Sequence, residues 1–169
     1  MLIRTITGND TEKLYQMLCQ LDEETDYMMY EPGERQRRTK SSDQLRTHIE
    51  EASSGTDYIL VAENDGGEIV GFLWAERGKL NRILHTAYIV VGIREGYRRR
   101  GIGTAFFSKL DKWAKTNGIV RLELTVEFAN TLAKSLYERH GFKVEGVRSK
   151  SMKVNGEFVD EYYMSKIID

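Results

Sequence analysis

The sequence predicts a mixed α/β fold, a mostly antiparallel sheet of about seven strands with helices on both faces. Hairpin-type turn signals, Asn64-Asp65-Gly66-Gly67 and Asn155-Gly156, separate runs of strand formers early and late in the chain. Between them a strand, a helix and a strand follow one another, the pattern of a parallel crossover. The element order is β-α-α-β-β-β-α-β-α-β-β, with no internal repeat, low-complexity tract or linker. At 169 residues the chain has room for one domain, 1–169, and not comfortably for two.

Leu2–Ile6 alternates as a short strand, and Thr7-Gly8-Asn9-Asp10 supplies turn and N-cap chemistry. Leu14, Met17, Leu18 and Leu21 recur at helical spacing. From Asp22 to about Lys40 the pattern breaks into acidic and aromatic residues around Pro32-Gly33, which predicts a loop. Ser41 or Ser42 can cap a second helix whose Leu45, His48, Ile49 and Ala52 share a face. Tyr58–Ala62 and Glu68–Arg77 are strands, and a longer strand runs from about Ile83 to Ile93. Ile102–Thr116 is a helix with Phe106, Leu110, Trp113 and Ala114 at core spacing, ended by Asn117-Gly118. Along Val120–Val126, Leu122, Leu124 and Val126 point one way and Arg121, Glu123 and Thr125 the other. Asn130–His140 is a helix stopped by Gly141, and Phe142–Val154 and Glu157–Ile167 form the closing hairpin.

Composition narrows the function. The 40% apolar and 30% charged shares are those of an ordinary soluble protein. A net charge of −1 argues against a nucleic-acid or anionic-membrane binder, and no apolar run approaches a membrane span. The N-terminal segment lacks the apolar core of a signal peptide, so a cytoplasmic location is expected. A single cysteine, Cys19, and the scattered His48, His85 and His140 give no metal-ligand spacing, so no metal is expected.

The chemistry concentrates in Tyr97-Arg98-Arg99-Arg100-Gly101-Ile102-Gly103-Thr104, between a strand and a helix. A helix start presents unpartnered N–H groups and a partly positive dipole end, both of which favour phosphate. Gly101 and Gly103 permit close backbone approach or unusual dihedrals, and the arginines add forked donors. Alone the segment is equally a tight turn beside a solvated arginine run. Nucleotide alternatives fit poorly: no Gly-Lys-Ser/Thr ending is present, and Phe106 stands where a dinucleotide turn needs its third glycine. Downstream, Asn130, Ala133 or Lys134, and Tyr137 line one helical face, with Ala133 leaving space for a ligand. Taken singly, Asn130 reads as an N-cap and Tyr137 as a core residue.

Together the two segments say more. Arg-x-x-Gly-x-Gly at Arg98–Gly103, followed after one helix and one strand by Asn-x-x-Ala-x-x-Leu-Tyr-x-x-x-Gly-Phe from Asn130, resembles the GNAT acetyltransferase superfamily. His85, Glu123-Leu-Thr-Val and the Asn155–Asp160 hairpin look like its small-amine and amino-acid branch. The resemblance implies acetyl-CoA as cosubstrate. Its pantetheine arm would lie between splayed strands, bonded by backbone groups of Val91 and Ile93 as a peptide is at a sheet edge. Amides of Arg98, Arg99, Arg100, Gly101, Gly103 and Thr104 would hold the diphosphate, with Asn130, Ala133 and Tyr137 alongside. Gly92, or a bulge near it, would help the strands open. A small-molecule amine would attack the thioester directly in a ternary complex, with a backbone N–H near Val91 facing the carbonyl oxygen.

Tyr137 would protonate the departing thiolate, its phenol being near the thiol in acidity, roughly 10 against 8.5. Glu123 is the first candidate base and His85 the second, against a salt bridge of Glu123 with Arg121 or a nearby basic residue and a structural hydrogen-bonding role for His85, which are the plainer readings. Some relatives carry a glutamate on the central strand, and Ile83–Ile93 has none. The Asp22, Glu23, Glu24, Asp26 and Tyr27–Tyr30 stretch could receive a cationic, partly apolar amine, against a plain solvated acidic loop. Arg35, Arg37, Arg38 and Lys40 form a basic counterpart. The resemblance also allows a homodimer, a protein N-terminal substrate, ribosomal ones included, or a catalytically silent acyl-CoA sensor.

Overall fold

The structure is a computed structural model of the chain and describes residues 1–39 and 41–169. Seven strands form one sheet, β1 (Leu2–Thr5), β2 (Tyr58–Glu63), β3 (Ile69–Arg77), β4 (Thr86–Ile93), β5 (Arg121–Glu127), β6 (Lys143–Val154) and β7 (Glu157–Ile167). Their spatial order is β1-β2-β3-β4-β5-β7-β6. Every neighbouring pair is antiparallel except β4 and β5, which flank the crossover helix. The predicted mixed, mostly antiparallel architecture is what forms.

Alternation on β2 explains the layering. Ile59 and Val61 face a smaller core with Leu14, Met17, Leu18 and Leu21 of α1 (Thr11–Glu24) and with Ile49 and Ala52 of α3 (Asp43–Ser53). Leu60 and Ala62 face a larger core with Phe106, Phe107, Leu110 and Ala114 of α4 (Ile102–Thr116), Tyr137 of α5 (Thr131–Arg139), and Leu122, Leu124 and Val126. Helices therefore cover both faces. His48 departs from the predicted buried face: it is exposed, with its ring edge-on to Trp74 at 5.9 Å.

The segment after Asp22 differs most from expectation. α1 continues through Asp22 to Glu24, and a short helix α2 (Glu34–Thr39) lies where a loop was predicted. The cause is an ion pair the periodicity could not show. Asp22 is fully buried, and Arg35 donates to it through Nε at 2.6 Å and Nη2 at 3.0 Å. Burial pushes the Asp22 carboxyl up while Arg35 opposes the shift. Lys40, the last residue of the expected loop and basic cluster, lies outside the described residues.

Smaller differences have local reasons. β4 begins at Thr86 rather than Ile83, because residues 81–83 form a 3-10 turn whose Ile83 carbonyl accepts from the Thr86 hydroxyl at 2.8 Å. Ser42 occupies the N-cap of α3, yet its hydroxyl donates to Glu12 at 3.0 Å. The Asn155-Gly156 hairpin closes as expected, with φ of 49° and 85°, the pair of positive values a two-residue turn requires. No helix among the described residues is long and apolar enough to cross a membrane.

Candidate active site

The site begins where the sheet ladder fails. β4 and β5 pair only at Thr86–Arg121, Ala87–Leu122 and Tyr88–Glu123, and beyond those pairs they diverge. β4 meanwhile stays in register with β3 as far as the Gly71–Ile93 pair, without a bulge. The β4 backbone from Ile89 onward therefore faces a gap on its β5 side. One side-chain bond spans the two strands there, between the hydroxyls of Tyr88 and Thr125 at 2.9 Å. Gly92 does not open the gap as expected. A Cβ there would lie 2.5 Å from Leu21 Cδ2 and 2.8 Å from Phe72 Cε1, so glycine lets α1 and β3 close over the strand.

The gap widens into a cleft of about 660 Å³, a size suited to a small organic ligand. Its lining unites most of the residues the sequence singles out: Val91 and Ile93; Arg98, Arg99, Gly101, Gly103 and Thr104; and Asn130, Ala133 and Tyr137. The turn before α4 carries two left-handed residues, Arg99 at φ 59° and Gly101 at φ 79°. Gly101 is the N-cap, and the first bond across the helix start runs from Ala105 N–H to its carbonyl at 3.0 Å. The amides of Ile102, Gly103 and Thr104 are thus left without intrahelical acceptors, an anion-binding arrangement. Gly103 has a different task from Gly101, since a Cβ there would stand 2.8 Å from Leu136 Cδ2 of α5. It brings the two helices together. Of the three arginines, Arg98 and Arg99 reach the cleft, whereas Arg100 lies over the Tyr97 ring at 5.1 Å.

On α5, Asn130 caps the helix, its Oδ1 accepting from Ala133 N–H at 3.3 Å. Seven residues on, Tyr137 is buried, edge-on to Phe107 at 5.8 Å. Its hydroxyl has no hydrogen-bond partner among the described residues. Burial, then the neighbouring Tyr88, pushes its pKa above that of an ordinary phenol.

Residues 15–142 match the family model described as "Acetyltransferase (GNAT) family". The chain belongs to the GNAT acetyltransferase family. It is accordingly an acyltransferase. It is 33% identical over 112 residues to an L-amino acid N-acetyltransferase of Escherichia coli, a match covering 64% of this chain and 67% of that protein. Among solved structures, a GNAT-family acetyltransferase from Streptococcus pneumoniae superposes with a TM-score of 0.91 at 28% identity, covering 99% of both chains. A GNAT-superfamily phosphinothricin acetyltransferase from Sinorhizobium meliloti, in complex with acetyl-CoA, shares the fold with a TM-score of 0.85 at 15% identity, covering 99% of this chain and 88% of that one.

Within this GNAT frame the two expected bases stand outside the cleft lining. Glu123 is bound by Arg121 Nε at 2.8 Å, and Arg121 also donates to Glu145 through Nη1 at 2.9 Å. His85 is exposed, and its carbonyl accepts from Val120 and Arg121 N–H groups at 2.8 and 3.1 Å, fastening the start of β4 to β5. The acidic stretch divides: Asp22 and Glu24 are ion-paired to Arg35 and Arg94, while Tyr27, Met28 and Met29 line the cleft. A carboxylate the sequence reasoning missed also lines it. Glu127 lies one residue beyond the predicted end of β5, on the Thr125 face, and extending the alternation by one position would have reached it. Among the described residues no group of three or more His, Cys, Asp or Glu is placed to hold a metal ion.

Proposed function

We propose that the chain transfers the acetyl group of acetyl-CoA to a primary amine of a small molecule, of the amino-acid or polyamine-like kind, by direct attack in a ternary complex. One observation carries this reading: the diverging strands place the anion-binding turn and Tyr137 on one continuous cleft. The name of the Escherichia coli relative supports an amino-acid-like acceptor, and the acetyl-CoA complex of a protein of the same fold supports the cosubstrate.

The residues present fit acetyl-CoA. The free amides at 102–104 and the flanking Arg98 and Arg99 would suit its diphosphate, which would meet the partly positive end of the α4 dipole. The Val91 backbone and the Ile93 N–H, on the β5 side of β4, would suit the amides of its pantetheine arm, while the Ile93 carbonyl already accepts from Arg98 Nε at 3.0 Å. When bound, acetyl-CoA supplies the activated acyl group as a thioester. A β4 amide near Val91 would donate to the carbonyl oxygen as negative charge grows there. Asn130 holds the start of α5, and Ala133 keeps its face low beside the cleft.

Tyr137 stands at the reacting end. With its pKa raised, it keeps its proton through neutral pH and serves the departing sulfur chiefly as a hydrogen-bond donor. Substrate positioning by the cleft walls supplies much of the remaining rate.

Thiol release from acetyl-CoA, followed over a panel of amino acids, amino-acid amides, polyamines and peptide N-termini, tests the proposal. Turnover with a small amine is the expected result. Calorimetric binding of acetyl-CoA without turnover on any member would overturn it and identify a binding module instead.

A further inference from the structure

The cleft holds a carboxylate oxygen that no other described residue engages. Glu127 is only 8% exposed, and its Oε2 is buried without a hydrogen-bond partner among the described residues. Elsewhere this chain pairs its buried acids: Asp22 with Arg35, Asp10 with Arg4, and Glu161 with Ser151 at 2.8 Å and Arg148 at 3.2 Å. A buried carboxylate oxygen without a donor is costly to a fold, so stability gives no reason for Glu127.

Its position gives one. On β5, Leu124 and Val126 enter the core, while Thr125 and Glu127 face the opposite side of the sheet. Thr125 is bonded to Tyr88, which in turn neighbours Tyr137, and these three line the cleft together with Glu127. The charged groups facing Glu127 are Glu161, its cross-strand partner on β7, and Asp26 after α1, with Arg148 of β6 engaged by Glu161. No cation among the described residues is bonded to Glu127. Met28, Met29 and Met152 complete that wall with apolar surface.

Resting on the transferase reading above, we propose that Glu127 receives the acceptor's ammonium group and accepts the proton it must lose before attack. The acceptor class that fits is a primary ammonium next to an apolar chain. The ammonium carries one proton too many to be a nucleophile. That proton passes to the Glu127 carboxylate and on to water. The second proton leaves nitrogen as the C–N bond forms and the C–S bond breaks, and the sulfur departs as a thiol. Burial and the nearby Glu161 raise the proton affinity of Glu127, which matches it better to this task.

The test compares the wild-type chain with Glu127→Gln and Glu127→Asp. Thiol release is measured from neutral to alkaline pH with the best acceptor of the panel. Glu127→Gln is expected to lose about 10²-fold in kcat/KM at neutral pH. The deficit narrows as pH rises and more acceptor is already unprotonated, while acetyl-CoA affinity is unchanged and Glu127→Asp recovers part of the rate. A wild-type pH profile in Glu127→Gln, or a loss matched by weaker acetyl-CoA binding, overturns the proposal.

A second readout needs no turnover. In a carboxyl ¹³C NMR titration, the resonance that Glu127→Gln removes should shift to a lower midpoint when L-methionine amide is added. A midpoint unmoved by saturating amine overturns the assignment. Failure of the wild type on every amine would count against the transferase reading, and the NMR titration would then decide Glu127 separately.

Discussion

Tyr137, the expected proton donor, and Glu123, the first candidate base, differ in their surroundings. A buried phenol with an unengaged hydroxyl on the cleft has its donor available to a ligand. We expect Tyr137→Phe to lower kcat about 10²-fold with little change in acetyl-CoA affinity, measured by steady-state kinetics beside calorimetry. Glu123 is committed to Arg121, in a partly exposed ion pair of small energetic weight. Glu123→Gln should therefore leave kcat/KM within about twofold of wild type, in the same assay. Sequence spacing identified the face that carries Tyr137 because helical periodicity is local. The Arg121 pairing of Glu123 was also within reach of local spacing, but the second hold of Arg121, on Glu145, was not, because it joins residues on different strands.

At the scale of elements, the glycines near the cleft do unlike work. Gly101 supplies a left-handed N-cap, whereas Gly103 and Gly92 supply room for a neighbour. Gly92→Ala puts a methyl group against Leu21 and Phe72, both deep in the smaller core. A loss of about 1–3 kcal/mol is expected, read as a lower urea midpoint at unchanged slope. A midpoint equal to wild type would mean that α1 can shift without cost. Strands, hairpin turns and the long helices were legible because each rests on alternation, 3.6-residue spacing or turn chemistry within a few residues. α2 was not legible: its Arg35 answers a buried Asp22 thirteen positions away. The end of β5 was missed for a related reason, since Glu127 is a buried acid in a position that alternation assigns to a polar surface.

For the whole molecule, two hairpins and one crossover were visible in the sequence, whereas the insertion of β7 between β5 and β6 and the divergence of β4 from β5 were not. The divergence involves contacts between distant segments: the tie at His85, and α4 meeting α5 at Gly103 and Leu136. Acid stability is another collective property. Arg4 on β1 donates to Asp10 at 2.7 and 2.8 Å, fastening the first strand to the start of α1 and holding the Asp10 carboxyl at about 2 against an ordinary 3.8. A carboxyl whose pKa falls on folding stabilises the fold above its unfolded value and ceases to do so as pH drops through the folded one. The contribution is about 2 kcal/mol, present at neutral pH and lost between 3.8 and 2. Asp10→Asn should thus lower the urea midpoint at neutral pH and converge with wild type as pH approaches 2.

The three-pair contact between β4 and β5 also governs how the molecule comes apart. Backbone continuity between the N-terminal hairpins and the C-terminal ones runs through those few residues, with side chains of the larger core completing the join. Such a seam is a natural boundary between cooperative units that open separately in hydrogen exchange. A ligand bonded to Val91 and Ile93 while resting on α5 would stitch the two units into one. Saturation at about a hundred times Kd adds about 2.7 kcal/mol to the native state. Amide protection would then rise on β4 and β5 together, and such a ligand would set the mechanical unity of the molecule.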